Sequence, residues 1–280
     1  MRRLLLATLI TLVLAGGSCL PGTTPLTLPP MTASALAQRY TDNGPERQWM
    51  AIDRMGDGRA IEVIGDLAAA EKVIVYVPGT GYGLSDFTSS AVSPGGAARA
   101  LYGQAMALSP GERVAVIGWL GYDPPEMTDP SVITTYPAIK GARALRTLVA
   151  ALDGKQRVAL VCHSYGSVVC GKAAPGLPVA DIVALGSPGM GVDTLAELET
   201  SARVWASLSR SDNVLRPGVR FGPIGFGTDP SEPGFGARVF DGGAGGHNDY
   251  LRAGPVLAYI TGVALYGAPP SAPAVASRPS

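Results

Sequence analysis

The sequence predicts an α/β domain with a mainly parallel sheet and helices on both faces. Short apolar runs, which indicate buried strands, alternate along the chain with longer segments of helical periodicity. In residues 157–171, RVALVCHSYGSVVCG, an apolar strand leads directly into a helix through a serine that has a small residue two positions away on each side. The length of 280 residues suffices for one such domain with a well-buried core.

The elements follow from local patterns, taken in chain order. Two β-like runs, residues 48–54 and 59–64, enclose an Asp-Gly pair that is typical of a hairpin turn. The apolar run at residues 72–77 predicts a strand that is buried on both faces. Further strands are expected at residues 113–117, 158–161, 181–185 and 203–208, and helices at residues 94–108, 138–152 and 255–266, with a short one around 194–199. Residues 216–236 are rich in Gly and Pro, and we expect them to form either a flap over the functional site of the domain or a plain surface loop.

Low-complexity segments bound the expected domain. Residues 19–46 are rich in Pro, Thr and Ala without periodicity and are expected to be a linker, and residues 268–280 are expected to be a disordered tail. The folded α/β domain is therefore expected to span residues 47–267.

The N-terminus has the pattern of an export signal. Arg2 and Arg3 precede an apolar stretch over residues 4–15, which is too short for a permanent membrane span. We therefore expect residues 1–18 to be a secretion signal and the protein to be secreted or held at the cell envelope. Lipid attachment at Cys19 is an alternative that we rank below simple secretion, because Gly16 stands where lipoprotein signals carry a larger apolar residue.

Composition excludes several classes of partner. The formal charge is zero, with 22 basic and 22 acidic residues, and no cluster of Lys or Arg indicates a nucleic-acid or anionic membrane surface. The chain has two histidines and no cluster of histidines and carboxylates, so neither a metal nor a cofactor is expected. Gly and Pro, with 37 and 24 residues, exceed a fifth of the chain, which suits a site built from loops.

The serine of the central segment is the candidate nucleophile. Residues 162–166, CHSYG, match the nucleophile-elbow pattern G-x-S-x-G, with Cys162 in place of the first Gly. In that pattern the Ser protrudes from a strained turn between strand and helix. We expect the small Cys162 side chain to be tolerated with a slightly wider turn. The alternative interpretation is that Ser164 only caps the following helix.

A serine hydroxyl needs a base to accept its proton. His163 precedes Ser164 on a strand, where consecutive side chains point to opposite faces, so His247 is the expected base. The carboxylate that orients the base should lie between Ser and His in sequence, and Asp212 fits this order, with Asp193 as the second candidate.

Backbone donors and pocket residues complete the expected site. The N–H of Tyr165 and that of Thr80 or Gly79, in the Gly-rich loop after residues 72–77, are the expected oxyanion donors. The candidate lining residues of a substrate pocket are Trp119, Tyr122 and Met190.

Cys162 and Cys170 are expected to be buried free thiols. About two helical turns separate them, and at a rise of about 1.5 Å per residue this places their Cα atoms beyond the limit of roughly 7 Å for a disulfide.

Seven short segments carry a resemblance to a known family. The segments are YVPGTG, WLGYDPP, CHSYGS, LGSPGMGVD, SDNV, FGARVF and HNDY, in matching order from about residue 61 to residue 262. They resemble an actinobacterial α/β-hydrolase family that is catalogued as a domain of unknown function and whose elbow usually reads GHSYGS. The resemblance implies the α/β-hydrolase fold and a catalytic triad of Ser164, Asp212 and His247. Cys162 is the departure from the family's pattern.

Together these features predict a secreted serine hydrolase that acts on a small-molecule or lipid-like ester through an acyl-Ser164 intermediate. Two alternatives would use the same fold: a catalytically silent binding protein, and a transacylase with the same triad. A phosphate-binding loop at residues 166–172, GSVVCGK, is excluded because Ala173 stands where a Ser or Thr should hold magnesium.

Overall fold

The computed structural model describes residues 25–44, 46–214 and 221–270. Its strands are β1 (Trp49–Asp53), β2 (Arg59–Ile64), β3 (Lys72–Val77), β4 (Val114–Leu120), β5 (Arg157–His163), β6 (Asp181–Leu185), β7 (Arg203–Ser207) and β8 (Arg238–Val239). Its α-helices are α1 (Ala33–Asn43), α2 (Pro94–Leu108), α3 (Tyr136–Ala151), α4 (Gly166–Ala173) and α5 (Pro255–Tyr266), and the 3-10 helices are Pro130–Ile133 and Ala196–Leu198. The predicted signal at residues 1–18 and the end of the predicted tail, residues 271–280, lie outside the described residues.

The eight strands form one sheet in the order β1-β2-β4-β3-β5-β6-β7-β8. The six strands from β4 to β8 in this order are parallel, and β1 and β2 join them antiparallel, so the predicted mainly parallel sheet is confirmed. The strand order reverses at β3, because the chain runs first to β4 on one side and then to β5 on the other. Sheets of this kind bind ligands at the carboxyl ends of the strands beside such a reversal.

Helices cover both faces of the sheet. Along β3, Val73, Val75 and Val77 face the core beneath α3 and α4, whereas Ile74 and Tyr76 face the core beneath α2 and α5. The alternation follows from the two-residue period of a strand, and apolar side chains on both faces bury the strand completely. The central strands therefore hold the loops at their carboxyl ends on a rigid base.

Residues 25–44 differ from the predicted linker. Leu26, Leu28 and Met31 pack against the core, and the helix α1 follows with Leu36 buried. The side chain of Thr32 caps the helix by accepting a hydrogen bond from the backbone of Ala35. The prediction of a linker is wrong for this part of the chain, because scattered apolar residues contact the domain without forming a periodic pattern.

Residues 221–236 carry no helix or strand. Ile224 pairs with Thr134 at the start of the segment that leads into α3, and Gly225 donates a backbone hydrogen bond to Ile133. This part of the predicted flap or loop is therefore anchored to the domain. Among the described residues, no helix has both the length and the hydropathy needed to cross a bilayer.

Cys162 and Cys170 form a disulfide, so the prediction of free thiols is wrong. Their Cα atoms lie 6.5 Å apart, and both side chains are fully buried. The estimate from the sequence counted residues as if strand and helix continued along one line. The chain instead turns sharply between β5 and α4, so that the second turn of α4 packs back against the end of β5. The bridge therefore joins the two elements that flank Ser164.

Replacing both cysteines by alanine (Cys162→Ala with Cys170→Ala) should lower the free energy of unfolding by about 2–3 kcal/mol, the chain-entropy value for a short loop. In a domain of this size the midpoint of thermal unfolding should fall by roughly 5–10 °C. The two single variants serve as controls: each breaks the same bridge, so each should lose about as much stability as the double variant. If the losses of stability in the two single variants instead add up to the loss in the double variant, the result would contradict the bridge.

Candidate active site

Ser164 lies at the turn between β5 and α4. It has a φ of +54°, and among the described residues only Glu199 shares a positive φ without being a glycine. Such a conformation costs about 1–3 kcal/mol and persists only where the surroundings enforce it. Here the backbone N–H of Ser164 donates to the carbonyl of Leu185 at 2.9 Å, and the hydroxyl of Ser167 donates to the carbonyl of Ser164. The half-buried Ser164 is thus held at the carboxyl end of β5, as the elbow pattern predicts.

The loop after β3 packs directly against this turn. A Cβ atom built on Gly79 would lie 2.8 Å from Cβ of Ser164, so a larger residue would displace one of the two segments. Within the described chain, the backbone N–H groups of Gly79, Thr80 and Tyr165 donate no hydrogen bond to the protein. All three predicted oxyanion donors are therefore free to bind a ligand.

His247 pairs with Asp212. Nδ1 of His247 lies 3.0 Å from each carboxylate oxygen of Asp212, and the hydroxyl of Tyr250 donates to Oδ2 of the same carboxylate at 2.6 Å. A carboxylate only accepts, so Nδ1 is the donor in this pair, and in the neutral tautomer with this proton Nε2 presents a lone pair. Burial alone would raise the pKa of Asp212, but its hydrogen bonds, with that from His247 foremost, lower this pKa from 3.8 to about 2. Asp212 is therefore ionised at neutral pH. Asp193 lies instead before the second 3-10 helix, where its backbone N–H donates to Glu197.

The pair lies next to the turn that carries Ser164. Gly186 follows Leu185, whose carbonyl binds the N–H of Ser164, and a Cβ built on Gly186 would lie 2.6 Å from Oδ2 of Asp212 and 3.0 Å from Nδ1 of His247. The end of β6 thus contacts Ser164 on one side and the His–Asp pair on the other. No hydrogen bond joins the hydroxyl of Ser164 to His247 in the part of the chain that the structure describes.

The predicted pocket residues lie deeper than expected. Trp119 and Met190 have no exposed surface, and Tyr122, which is 3% exposed, stacks on Trp119 with 5.5 Å between ring centroids. Trp119 and Met190 are therefore core residues. Of the three, only Tyr122 lines a cavity of about 680 Å³, which lies at the carboxyl end of β4. The charged residues that line this cavity are Asp57, Arg59, Asp123, Glu126, Asp129, Lys140 and Arg143. The loop after β3 contacts both places, since Gly79 packs against Ser164 and Gly81 donates its N–H to the carbonyl of Pro125 in the cavity wall.

Two residues that contact the His–Asp pair were not assigned from the sequence. Tyr250 belongs to the HNDY segment, three residues after His247, and that spacing is the one signal that could have indicated it. His163 is not expected as a base, because it precedes Ser164 on the strand, yet its Nε2 lies 2.7 Å from the carbonyl oxygen of His247. Burial, and then the neighbouring His247, lower the pKa of His163 from 6.5 to about 3. His163 is therefore neutral, and its Nε2–H donates to that carbonyl.

The neutral His163 predicts a pH dependence of stability. In the unfolded chain it binds a proton below about pH 6.5, whereas in the folded chain it does so only near pH 3, so its contribution to stability is complete above pH 6.5 and is lost as the pH falls. This group removes at most about 1.4 kcal/mol per pH unit in that window. Urea unfolding at pH 7.5, 6.0 and 5.0 should show a shallower loss in His163→Gln than in the wild type, while Asp212 titrates below this range. Parallel losses in the two proteins would contradict a neutral His163.

Comparison with known proteins places the chain in a family. Residues 53–223 match the model of a family described as alpha/beta hydrolase. The uncharacterized protein Rv2079 of Mycobacterium tuberculosis is 33% identical over 220 residues, which cover 66% of this chain and 32% of the relative, so the chain spans about a third of that protein's length. The uncharacterized protein Rv0963c of the same organism is 28% identical over 194 residues, which cover 65% of this chain and 73% of the relative.

The chain is also similar to two solved structures, each with low sequence identity to it. The esterase PE8 is 18% identical with a TM-score of 0.47, over 71% of this chain and 94% of that one. XC6422 from Xanthomonas campestris, described as an a/b serine hydrolase without lid, is 13% identical with a TM-score of 0.45, over 74% of this chain and 86% of that one.

The family model alone covers more than half of the 280 residues, and the resemblance seen in the sequence is confirmed. The chain belongs to the alpha/beta hydrolase family.

Proposed function

We propose that this protein is a serine hydrolase that cleaves an ester, with Ser164 as nucleophile, His247 as general base and Asp212 as the carboxylate that orients the base. The observation that carries the proposal is the His247–Asp212 pair, held beside a serine with a positive φ. Each part is of the kind that acyl transfer needs: a protruding hydroxyl, a base with a free lone pair, and an ionised acid behind it.

The reaction would take place in two halves. In the first, Oγ of Ser164 attacks the ester carbonyl while Nε2 of His247 accepts its proton, and the same proton then passes to the leaving alcohol as the C–O bond breaks. In the second, His247 takes a proton from water, which attacks the acyl-Ser164, and returns this proton to Oγ of Ser164 as the carboxylic acid leaves. The free N–H of Tyr165 and that of Gly79 or Thr80 would stabilise the oxyanion in each half.

Asp212 would act through its charge and its position. Because its pKa is lowered to about 2, it stays ionised throughout the neutral range. It would hold the proton on Nδ1 of His247 and stabilise the imidazolium that forms during each proton transfer. The hydrogen bond between Ser164 and His247 would form when a substrate occupies the site, since catalytic hydrogen bonds often tighten only at that stage.

We also propose that the protein works outside the cytoplasm, secreted or at the cell envelope. The signal pattern at residues 1–18 supports this, and so does the Cys162–Cys170 disulfide, because such bridges persist in oxidising compartments.

Replacement of the nucleophile is the direct test. Ser164→Ala should abolish labelling by a fluorophosphonate probe and should lower the hydrolysis of p-nitrophenyl esters, assayed from acetate to palmitate, by at least about 10³-fold, because no other group can carry the acyl intermediate. Ser89→Ala, at an exposed serine on the loop before α2, is the matched control and should react like the wild type. Mass spectrometry that finds the probe on a residue other than Ser164 would refute the assignment.

The tight packing at Gly186 gives a second test. Gly186→Ala should reduce kcat by at least about 10-fold, because the new methyl group would push apart Asp212 and His247 and the φ of +53° would be strained as well. Gly103→Ala in α2 is the control: its Cβ would meet nothing within 4 Å, and the change should leave kcat unaltered. Circular dichroism checks that both variants fold. Full activity in folded Gly186→Ala would argue against a working His–Asp pair.

A further inference from the structure

The imidazole of His163 fills the space between the end of β5 and the loop that carries His247. It is 2% exposed, and its ring centroid lies 4.6 Å from that of His247 and 6.0 Å from that of Tyr250. His163 is also the residue directly before Ser164. One side chain therefore contacts the loop of the proposed base while its backbone continues into the proposed nucleophile.

The hydrogen bond from His163 is the one that holds the main chain of His247. Its Nε2–H donates to the carbonyl of His247 at 2.7 Å. In the described part of the chain, the backbone of His247 makes no other hydrogen bond to the protein, and residues 242, 243, 245 and 246 just before it are glycines. Glycine leaves the backbone of this segment unusually free. Arg210 and Ser211 donate to the carbonyls of Gly243 and Gly245, and Gly246 donates to Asp249, so the bond from His163 is the contact that holds the main chain at His247 itself.

Two hydrogen bonds thus act on His247 at different points. Asp212 binds the ring at Nδ1, which leaves the ring free to swing about that contact if the main chain moves. The bond from His163 removes this freedom because it holds the main chain. His163 does not compete as a second base, since its Nε2 is already engaged and its Nδ1 is buried without a hydrogen-bond partner.

We propose that His163 is a positioning residue, whose Nε2–H anchors the main chain of His247 so that Nε2 of His247 faces Ser164. This inference rests on the proposed roles of Ser164 and His247. It assigns to the residue before the nucleophile a function that the elbow pattern leaves unspecified, because that pattern accepts any residue there.

Three variants separate the hydrogen bond from the packing of the ring. His163→Phe keeps a ring of similar size without a donor. His163→Gln places an amide N–H at the reach of Nε2, and His163→Asn carries the same amide one methylene too short to reach the carbonyl of His247. We expect kcat to fall about 10- to 100-fold in His163→Phe and His163→Asn with KM within about twofold of the wild type, and we expect His163→Gln to recover most of the loss.

The order of kcat among the variants decides whether His163 acts through its hydrogen bond or only through the packing of its ring. If the ring only fills space, His163→Phe should keep wild-type kcat while both amide variants lose activity in step with their unfolding midpoints, and this result would overturn the proposal. Should His163→Phe not fold, the comparison of His163→Gln with His163→Asn still applies, because both lack the ring and differ in reach. Equal kcat in these two variants would also overturn it.

A readout without substrate distinguishes this proposal from the proposed function. Hydrogen exchange of residues 242–250 should be faster in His163→Phe and His163→Asn than in the wild type and in His163→Gln. If the wild-type enzyme is not labelled by the fluorophosphonate while exchange follows this order, the loop anchor stands and the hydrolase assignment fails. If the wild type is labelled at Ser164 and all variants exchange and react alike, the hydrolase assignment stands and the role of His163 is refuted.

Discussion

The strained turn at Ser164 is the constraint on which the rest of the site depends. A positive φ at a residue with a side chain is unfavourable by itself, so its neighbours must hold it. The carbonyl of Leu185 binds its N–H, Gly79 packs against its Cβ, and the Cys162–Cys170 bridge ties the strand before it to the helix after it. Apart from Cys170, which lies in α4, the residues that make these contacts lie in or directly after the buried central strands β3, β5 and β6. The turn therefore has a rigid base.

The two cysteines are best understood together. Cys162 departs from the family that the sequence resembles, in which the elbow usually begins with Gly, and taken alone it is a larger residue at a crowded position. In the structure its sulfur forms a bond with Cys170 on the facing turn of α4, so the side chain that replaces Gly becomes a covalent link across the elbow. The link lies in the core of the domain, where both cysteines are fully buried.

The candidate site combines groups from several strand ends. Ser164 follows β5, Gly186 follows β6 and Asp212 follows β7, while His247 lies in the loop between β8 and α5. Parallel strands bring these ends to one edge of the sheet, which is why residues about eighty positions apart contact one another. Tyr250 donates a hydrogen bond to the carboxylate of Asp212, and His163 donates one to the main-chain carbonyl of His247.

Local pattern alone predicted the strands of the sheet, the helices α2, α3 and α5, and the elbow at Ser164, because strand and helix periods and short motifs are properties of neighbouring residues. The expectation of Asp212 and His247 rests instead on their order in the chain after Ser164 and on the resemblance to a known family. Tertiary structure decided the Cys162–Cys170 bridge, the packing of residues 25–44, the burial of Trp119 and Met190, and the contacts of Tyr250 and His163. Each of these depends on a distance across a reversal of the chain. The number of residues between two positions does not give their distance in space before the strands have paired.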